Sequence, residues 1–212
     1  EVISSGTRKV LVAFGPPEAG GKLTSLVYRL FGNNSKGLKI SALHLTPNTE
    51  ISIKNAKQYE DEAFSEVKKV AYEFGTDIKT IYRTAENVSA EITKTANRGK
   101  YDLLLVGSSR PLLSQDETGG RARHFFENAR CTVGLLIDKG TDTLSKILII
   151  TESGDERFLY EIAKRFNPGC SIESACVLPP SVPVNGAEVK VLRQLSAADN
   201  PESYSKYDLI VT

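Results

Sequence analysis

A stretch rich in glycine, hydroxyl groups and arginine is the strongest candidate for chemistry in this sequence. Gly107-Ser108-Ser109-Arg110 directly follows the apolar run Leu103–Val106, and Gly119-Gly120 precedes a helical pattern. Glycine lets a backbone approach phosphate, arginine binds its oxygens, and the free N–H groups of a helix N-terminus attract anions. The pattern predicts an anion site, with a solvated loop that caps a structural helix as the alternative. The candidate side chains are Ser108, Ser109, Arg110, Thr118, Arg121 and Arg123.

A second glycine-rich stretch, Gly15 to Thr24, resembles a P-loop but lacks its chemistry. A P-loop requires Ser or Thr directly after Gly-Lys, so that the hydroxyl reaches magnesium. Here Leu23 follows Lys22, and Pro16 and Pro17 remove backbone N–H donors. The stretch therefore predicts a tight strand-to-helix turn instead of a nucleoside triphosphatase loop.

No constellation of catalytic or metal-binding residues stands out. Asp116 and Glu117 are adjacent, which suits a loop better than an acid–base pair. His124 is expected on a helix surface, and His44 in a strand at the far side of the same domain. The three cysteines, Cys131, Cys170 and Cys176, have no metal-ligand spacing and are interpreted as buried, reduced thiols. We therefore expect no enzyme activity, no metal and no obligatory cofactor.

Composition excludes several classes of protein. The 212 residues carry 27 Lys plus Arg against 26 Asp plus Glu, so no basic field for nucleic acid is present. No apolar run reaches the roughly 18 residues of a membrane span, and direct membrane insertion is not expected. The sequence contains no Met and begins at Glu1, which predicts that the chain is a piece of a longer protein.

Alternating strand and helix patterns predict the fold class. Short apolar runs punctuate the first 140 residues, and each is followed by residues with helical periodicity. This alternation indicates an α/β fold with a doubly wound parallel sheet covered on both faces. The predicted strands are Val10–Phe14, Lys39–Leu45, Ile78–Tyr82, Leu103–Val106 and Val133–Ile137. The predicted helices carry Leu23–Phe31, Tyr59–Phe74, Val88–Ala96 (with Asn87 as N-cap and Gly99 as stop) and Phe125–Phe126.

The same pattern then begins again. Lys146–Ile150 repeats Lys9–Ala13, and Tyr207–Val211 repeats Tyr101–Leu105 over a shorter interval. We interpret this as a tandem duplication whose second copy has lost an internal segment. The predicted domains are residues 1–140 and 144–212, joined by a short polar linker.

The strand Val10–Phe14, the run Tyr101–Gly107 and the run Thr132–Ile137 resemble the universal stress protein family. The resemblance implies a five-stranded parallel α/β fold of the adenine nucleotide alpha hydrolase type. Many members bind ATP through an Asp after the first strand and a Gly-x2-Gly-x9-Gly-(Ser/Thr) motif. Here Gly15 replaces that Asp, and the motif keeps its spacing as Gly107, Arg110, Gly120 and Arg121. The nucleotide- or anion-binding candidates that this implies are Phe14, Gly15, Leu45, Gly107, Ser108, Ser109, Arg110, Gly120 and Arg121.

The tandem arrangement resembles the cytosolic C-terminal region of cation/proton antiporters. Its cues are Gly15–Lys22, Val106–Leu112 and Gly154–Arg157. The resemblance implies a cytoplasmic, non-catalytic regulatory domain of a monovalent cation (Na⁺ or K⁺)/proton antiporter, whose membrane portion lies upstream in the same chain. The alternatives are a stand-alone tandem universal stress protein that binds ATP or AMP, and a nucleotide hydrolase of related fold.

A homodimer is also expected from the resemblance, because this family often dimerises through the last strand. That strand is Thr132–Ile137, in which Val133, Leu135 and Ile137 share one face.

Overall fold

The computed structural model describes ten parts of the chain. They are residues 8–32, 37–47, 56–108, 120–137, 146–151, 163–165, 169, 171–176, 190–194 and 209–211. Contacts divide the chain into two compact units, Ile3–Asp138 in one and Glu1–Val2 with Lys139–Thr212 in the other. The division falls at the start of the predicted linker.

The first unit is a five-stranded sheet in the order β3-β2-β1-β4-β5, and every neighbouring pair is parallel. Helices alternate with the strands, so the predicted doubly wound α/β fold is confirmed. The elements are β1 Arg8–Phe14, α1 Pro17–Phe31, β2 Leu38–Pro47, α2 Ala56–Ala63, α3 Ser65–Glu73, β3 Lys79–Ala85, α4 Val88–Gly99, β4 Leu103–Ser108, α5 Gly120–Asn128 and β5 Thr132–Ile137.

Two apolar layers enclose this sheet. Alternate residues of β1 point to opposite faces, so Val10 and Val12 join one core and Leu11 and Ala13 the other. The first core takes in α1 and α3, and the second takes in α4 and α5. These four residues of β1 are fully buried, which explains why the middle of the strand is a continuous apolar run.

Local signals place several element ends. The Asn87 side chain accepts a hydrogen bond from the Ala90 N–H at 3.0 Å and caps α4, as predicted. The helix ends at Gly99, and Lys100 is left-handed at φ 50°. Asp102 joins the starts of β1 and β4: its carboxylate accepts from the Lys9 N–H at 2.7 Å, and its own N–H donates to the Lys9 carbonyl at 2.8 Å.

The prediction of one continuous helix from Tyr59 to Phe74 is wrong. The helix is interrupted at Phe64, which divides it into α2 and α3. Phe64 is fully buried, and its ring packs edge-on against Phe14 of β1. Tyr59, assigned to the apolar face, is 44% exposed. Phe64 thus packs against the sheet, whereas Tyr59 faces solvent.

The second unit contains four parallel strands in the order β8-β7-β6-β9. This is the order of β3-β2-β1-β4 in the first sheet, with β6 in the position of β1. That the second unit is a shortened copy of the first stays a prediction. No helix in the described ranges of either unit has the length and apolar character to cross a membrane. The strands are β6 Lys146–Thr151, β7 Ser171–Cys176, β8 Lys190–Gln194 and β9 Leu209–Val211.

Candidate functional site

The carboxyl ends of β1 and β4 form the candidate site. These strands are neighbours at the centre of the first sheet, and Ala13 is in register with Val106. The chain leaves β1 toward β2 on one side and leaves β4 toward β5 on the other. Ligands of doubly wound sheets bind in the crevice that such a reversal opens. Gly15, which follows β1, and Gly107–Ser108, which end β4, therefore flank one crevice, which we call the switch crevice.

Two predicted binding residues have buried side chains. Phe14 is 5% exposed and belongs to the core under α1 and α3, whereas Leu45 is 8% exposed and belongs to the core under α4. They lie on opposite faces of the sheet. Their side chains therefore belong to the two cores of the first unit.

Gly107 has a packing role in addition to its place beside the crevice. A Cβ at this position would lie 2.9 Å from Leu23 Cδ1 and 3.4 Å from Ala19 Cβ, both on α1. Glycine therefore lets α1 approach the end of β4 closely. Gly15 differs, because among the described residues no atom beyond its two chain neighbours lies within 4 Å of its hypothetical Cβ, and the residue is exposed.

For the remaining predicted residues, the structure describes either the backbone position alone or nothing. Ser108 ends β4, and Gly120 and Arg121 begin α5. The first turn of α5 has backbone N–H groups without helical partners, a common anion-binding feature. Ser109 and Arg110 lie outside the described residues, as do Asp116 and Glu117.

The P-loop-like stretch is the start of a helix. Because α1 begins at Pro17, Gly20, Gly21 and Lys22 are helical residues and form no phosphate-binding loop. A Cβ on Gly20 would lie 2.8 Å from the Phe14 ring, and one on Gly21 would lie 3.0 Å from Glu66 Cβ of α3. The glycines let α1 approach β1 and α3, which agrees with the predicted strand-to-helix turn.

His44 lies beside the switch crevice, and the expectation that it sits at the far side of the domain is wrong. In the β1–β2 register it is paired with Phe14. Its ring stacks on Tyr82 at 5.6 Å and approaches the rings of Phe14 at 5.6 Å and Phe64 at 6.3 Å. Sequence reasoning missed this aromatic cluster, although His44 continues the alternation of Ile40 and Ala42 on one strand face.

Burial lowers the pKa of His44 from its ordinary value, against the opposing effect of hydrogen bonding to the backbone of Gly15 and Phe14. Among the described residues, its buried Nδ1 has no hydrogen-bond partner of ordinary geometry. The neutral ring is therefore the form that suits this environment.

Acidification is expected to destabilise the first unit through His44. A depressed folded-state pKa means that the unfolded chain takes up a proton first as the pH falls below about 6.5. The His44 contribution is fully present above that value and is lost as the pH falls through the folded-state pKa. Urea unfolding from pH 7.5 to 5 should give a steeper loss of stability for the wild type than for His44→Phe. Parallel pH profiles would show that His44 is not responsible.

Two further titratable residues, Cys131 and His124, lie in partly buried positions within the described ranges. Burial, followed by the negative charge of Asp102, raises the pKa of the Cys131 thiol and favours its protonated form. His124 is half-buried on α5, and its Nε2 lacks a hydrogen-bond partner. No cluster of three or more His, Cys, Asp or Glu side chains suited to a metal ion occurs in these ranges.

The predicted dimer strand, β5, pairs only with β4 in the first sheet and is an edge strand. Val133 and Leu135 are half-buried and pack against the core under α4 and α5. The side chain of Ile137 lies outside the described residues. In the part of the chain that the structure describes, the outer backbone edge of β5 has no neighbouring strand.

No protein-family model matches the sequence. No curated protein matches it either. Among solved structures, a universal stress protein from Archaeoglobus fulgidus has a TM-score of 0.56 at 15% identity, covering 92% of this chain and 78% of that one. A universal stress protein family protein from Arabidopsis thaliana with AMP bound has a TM-score of 0.47 at 17% identity, covering 64% and 95%. A universal stress protein in complex with cAMP has a TM-score of 0.45 at 16% identity, covering 62% of this chain and 98% of that one.

The similarity in fold rests on the comparison with the Archaeoglobus fulgidus structure. The chain has the α/β fold of universal stress proteins, with a five-stranded parallel sheet and flanking helices.

Proposed function

We propose that this chain is a cytosolic, non-catalytic regulatory domain that binds an anionic ligand, with a nucleotide as the expected class, at the switch crevice. The crevice lies at the strand-order reversal between β1 and β4, which is the observation that carries the proposal. On the β1 side, Gly15 has no side chain to fill the crevice. On the β4 side, the next helix along the chain is α5, whose N-terminus is at Gly120. The AMP and cAMP complexes named above are precedents for nucleotides in proteins of similar fold.

The ligand would be held mainly by backbone groups and arginine. Phe14 and Leu45 contribute support from within the core, and Gly15 offers no carboxylate to anchor a ribose. Arg110 and Arg121 would supply charge for phosphate oxygens. As a non-catalytic domain, the chain is expected to bind the nucleotide without turning it over. Phosphate release from ATP above a buffer blank would argue for the hydrolase alternative.

Replacing Arg110 with alanine is expected to weaken nucleotide binding by about tenfold or more, because a hydrogen bond to a charged group contributes about 1.5–3 kcal/mol. Isothermal titration calorimetry of the full chain with ATP, AMP and cyclic AMP measures the effect. Gly120→Val, which adds bulk at the first residue of α5, should also weaken binding. Lys57→Ala, at an exposed cation on α2, is the control. Heats no larger than dilution for all three nucleotides would refute the nucleotide assignment.

The transport role rests on the resemblance of the tandem arrangement to antiporter C-terminal regions. In this role the domain would pair with a second copy through β5 and transmit ligand binding to the membrane portion of the same polypeptide. The reading frame upstream of Glu1 tests the context directly. A series of hydrophobic spans supports the antiporter, whereas an initiator codon just upstream favours the stand-alone universal stress protein.

A further inference from the structure

A shallow open cleft of about 600 Å³ lies between α4 and α5, away from the switch crevice. Its described lining contains four cations, Lys94, Arg98, Lys100 and Arg130, and no acidic side chain. The whole chain is nearly neutral, with a formal charge of +1, so this concentration of one sign is a local feature. We call it the basic cleft.

About half of this charge is not neutralised within the described residues. Glu91 pairs with Lys94 at 3.1 Å, but it also pairs with Arg83 at 3.0 Å. Arg98, Lys100 and Arg130 are exposed and form no ion pair there. The C-termini of α4 and α5 each supply about half a negative charge. Glu91 and the two helix ends together offset about half of the four positive charges, and the cleft keeps an attractive field for anions.

The walls of the basic cleft are held in place by asparagine side chains. Asn97 Nδ2 donates to the Asn128 carbonyl at 3.0 Å, and Asn97 Oδ1 accepts from the Arg130 N–H at 2.8 Å. Asn128 Nδ2 in turn donates to the His124 carbonyl at 2.9 Å. These bonds fix α4, the end of α5 and the start of the following loop relative to one another. A ligand would therefore meet a preformed surface, which lowers the entropic cost of binding.

The spacing of the cations favours an extended peptide over a compact anion. Lys94 and Arg98 are one helical turn apart, which separates their Cβ atoms by about 6 Å. Alternate side chains of an extended peptide are separated by about 6.6 Å and point the same way. Apart from His124 the lining has no ring on which a nucleotide base could stack, and the cleft is too open to enclose a single phosphate.

We propose that the basic cleft docks an acidic polypeptide segment in extended conformation, with carboxylates at alternate positions opposite Lys94, Arg98 and their neighbours. This surface is distinct from the switch crevice, so docking and ligand binding can be tested separately.

The test uses the full chain and a fluorescein-labelled octapeptide of alternating Glu and Ser, with binding followed by fluorescence anisotropy at low salt. Arg98→Glu/Lys100→Glu is expected to weaken binding at least about tenfold, and added salt should weaken wild-type binding by screening. The matched control is Lys57→Glu/Lys79→Glu, which changes the net charge equally at exposed positions on α2 and β3. It should change the affinity by less than about twofold.

Thermal unfolding establishes that each variant is folded. If the double variant is not, Arg130→Gln supplies a second test, since it removes one exposed charge outside the helices and should weaken binding about threefold. Equal losses in the test and control variants would show that net charge alone attracts the peptide and would overturn the proposal. So would the absence of wild-type binding at low salt. Displacement by sodium triphosphate at concentrations below those of the unlabelled peptide would assign the cleft to small anions instead.

Discussion

Replacing Phe64 with alanine is expected to lower the free energy of unfolding of the first unit by about 3–5 kcal/mol, the usual range for a fully buried phenylalanine. Phe64 has no exposed surface, and its ring meets Phe14 at 5.9 Å and His44 at 6.3 Å, both edge-on. Removal of the ring loses these contacts and leaves a cavity between the α2–α3 junction and the sheet. The surroundings can collapse only partly, because β1 and β2 are fixed by their neighbours in the sheet.

Urea unfolding followed by circular dichroism measures this loss. Tyr72→Ala is the matched control, since it also removes an aromatic ring from α3 but from a side chain that is 86% exposed. Its effect should stay within about 0.5 kcal/mol. A loss below about 1 kcal/mol for Phe64→Ala would mean that the α2–α3 junction does not pack as described. Phe64→Ala should also weaken the binding of any ligand at the switch crevice, because Phe14 and His44 support the ends of β1 and β2.

The strands and most helix ends could be predicted from the sequence because their signals are local. The central strands are buried on both faces, so runs such as Val10–Phe14 and Leu103–Val106 are apolar at nearly every position. Asn87 marks the start of α4 through a hydrogen bond within its own first turn. For such elements, the residues that specify the structure are within a few positions of where it forms.

The interruption at Phe64 and the position of His44 could not be predicted in the same way. A helix from Tyr59 to Phe74 satisfies the helical period without any break, whereas the observed break is at Phe64, whose ring packs against Phe14 and His44. His44 becomes part of the candidate site only when β2 is placed beside β1 in its observed register. Both features depend on which strands are neighbours, and this is tertiary information.

The candidate site was predicted as a location more than as a set of contacts. Gly15 and Gly107 each follow a predicted apolar run. With a doubly wound strand order assumed, these two positions are sufficient to indicate the switch crevice. The sequence alone did not reveal that Phe14 and Leu45 face opposite cores, or that Gly107 also serves helix packing.

Gly20→Ala sets two opposing effects against each other, and packing is expected to prevail. Alanine in place of glycine within a helix contributes about 1 kcal/mol of intrinsic stability. The new Cβ would, however, lie 2.8–2.9 Å from three atoms of the Phe14 ring, closer than real contacts allow. Phe14 is 5% exposed and is held by Phe64 and His44, so the ring has little room to move. Overpacking of this kind costs about 1–3 kcal/mol, and we expect net destabilisation.

Gly15→Ala is the contrasting variant to Gly20→Ala, because among the described residues no atom beyond its chain neighbours lies within 4 Å of its hypothetical Cβ. Loss of glycine there restricts mainly the unfolded chain, and the expected change is between zero and about 1 kcal/mol of stabilisation. Urea unfolding should therefore give opposite signs for two Gly→Ala changes five residues apart. A phosphate-binding loop at Gly15–Lys22 predicts another pattern, in which both variants keep their stability and lose ATP. Stability and calorimetry measured on the same two proteins thus distinguish glycines that admit a ligand from glycines that let α1 pack against β1.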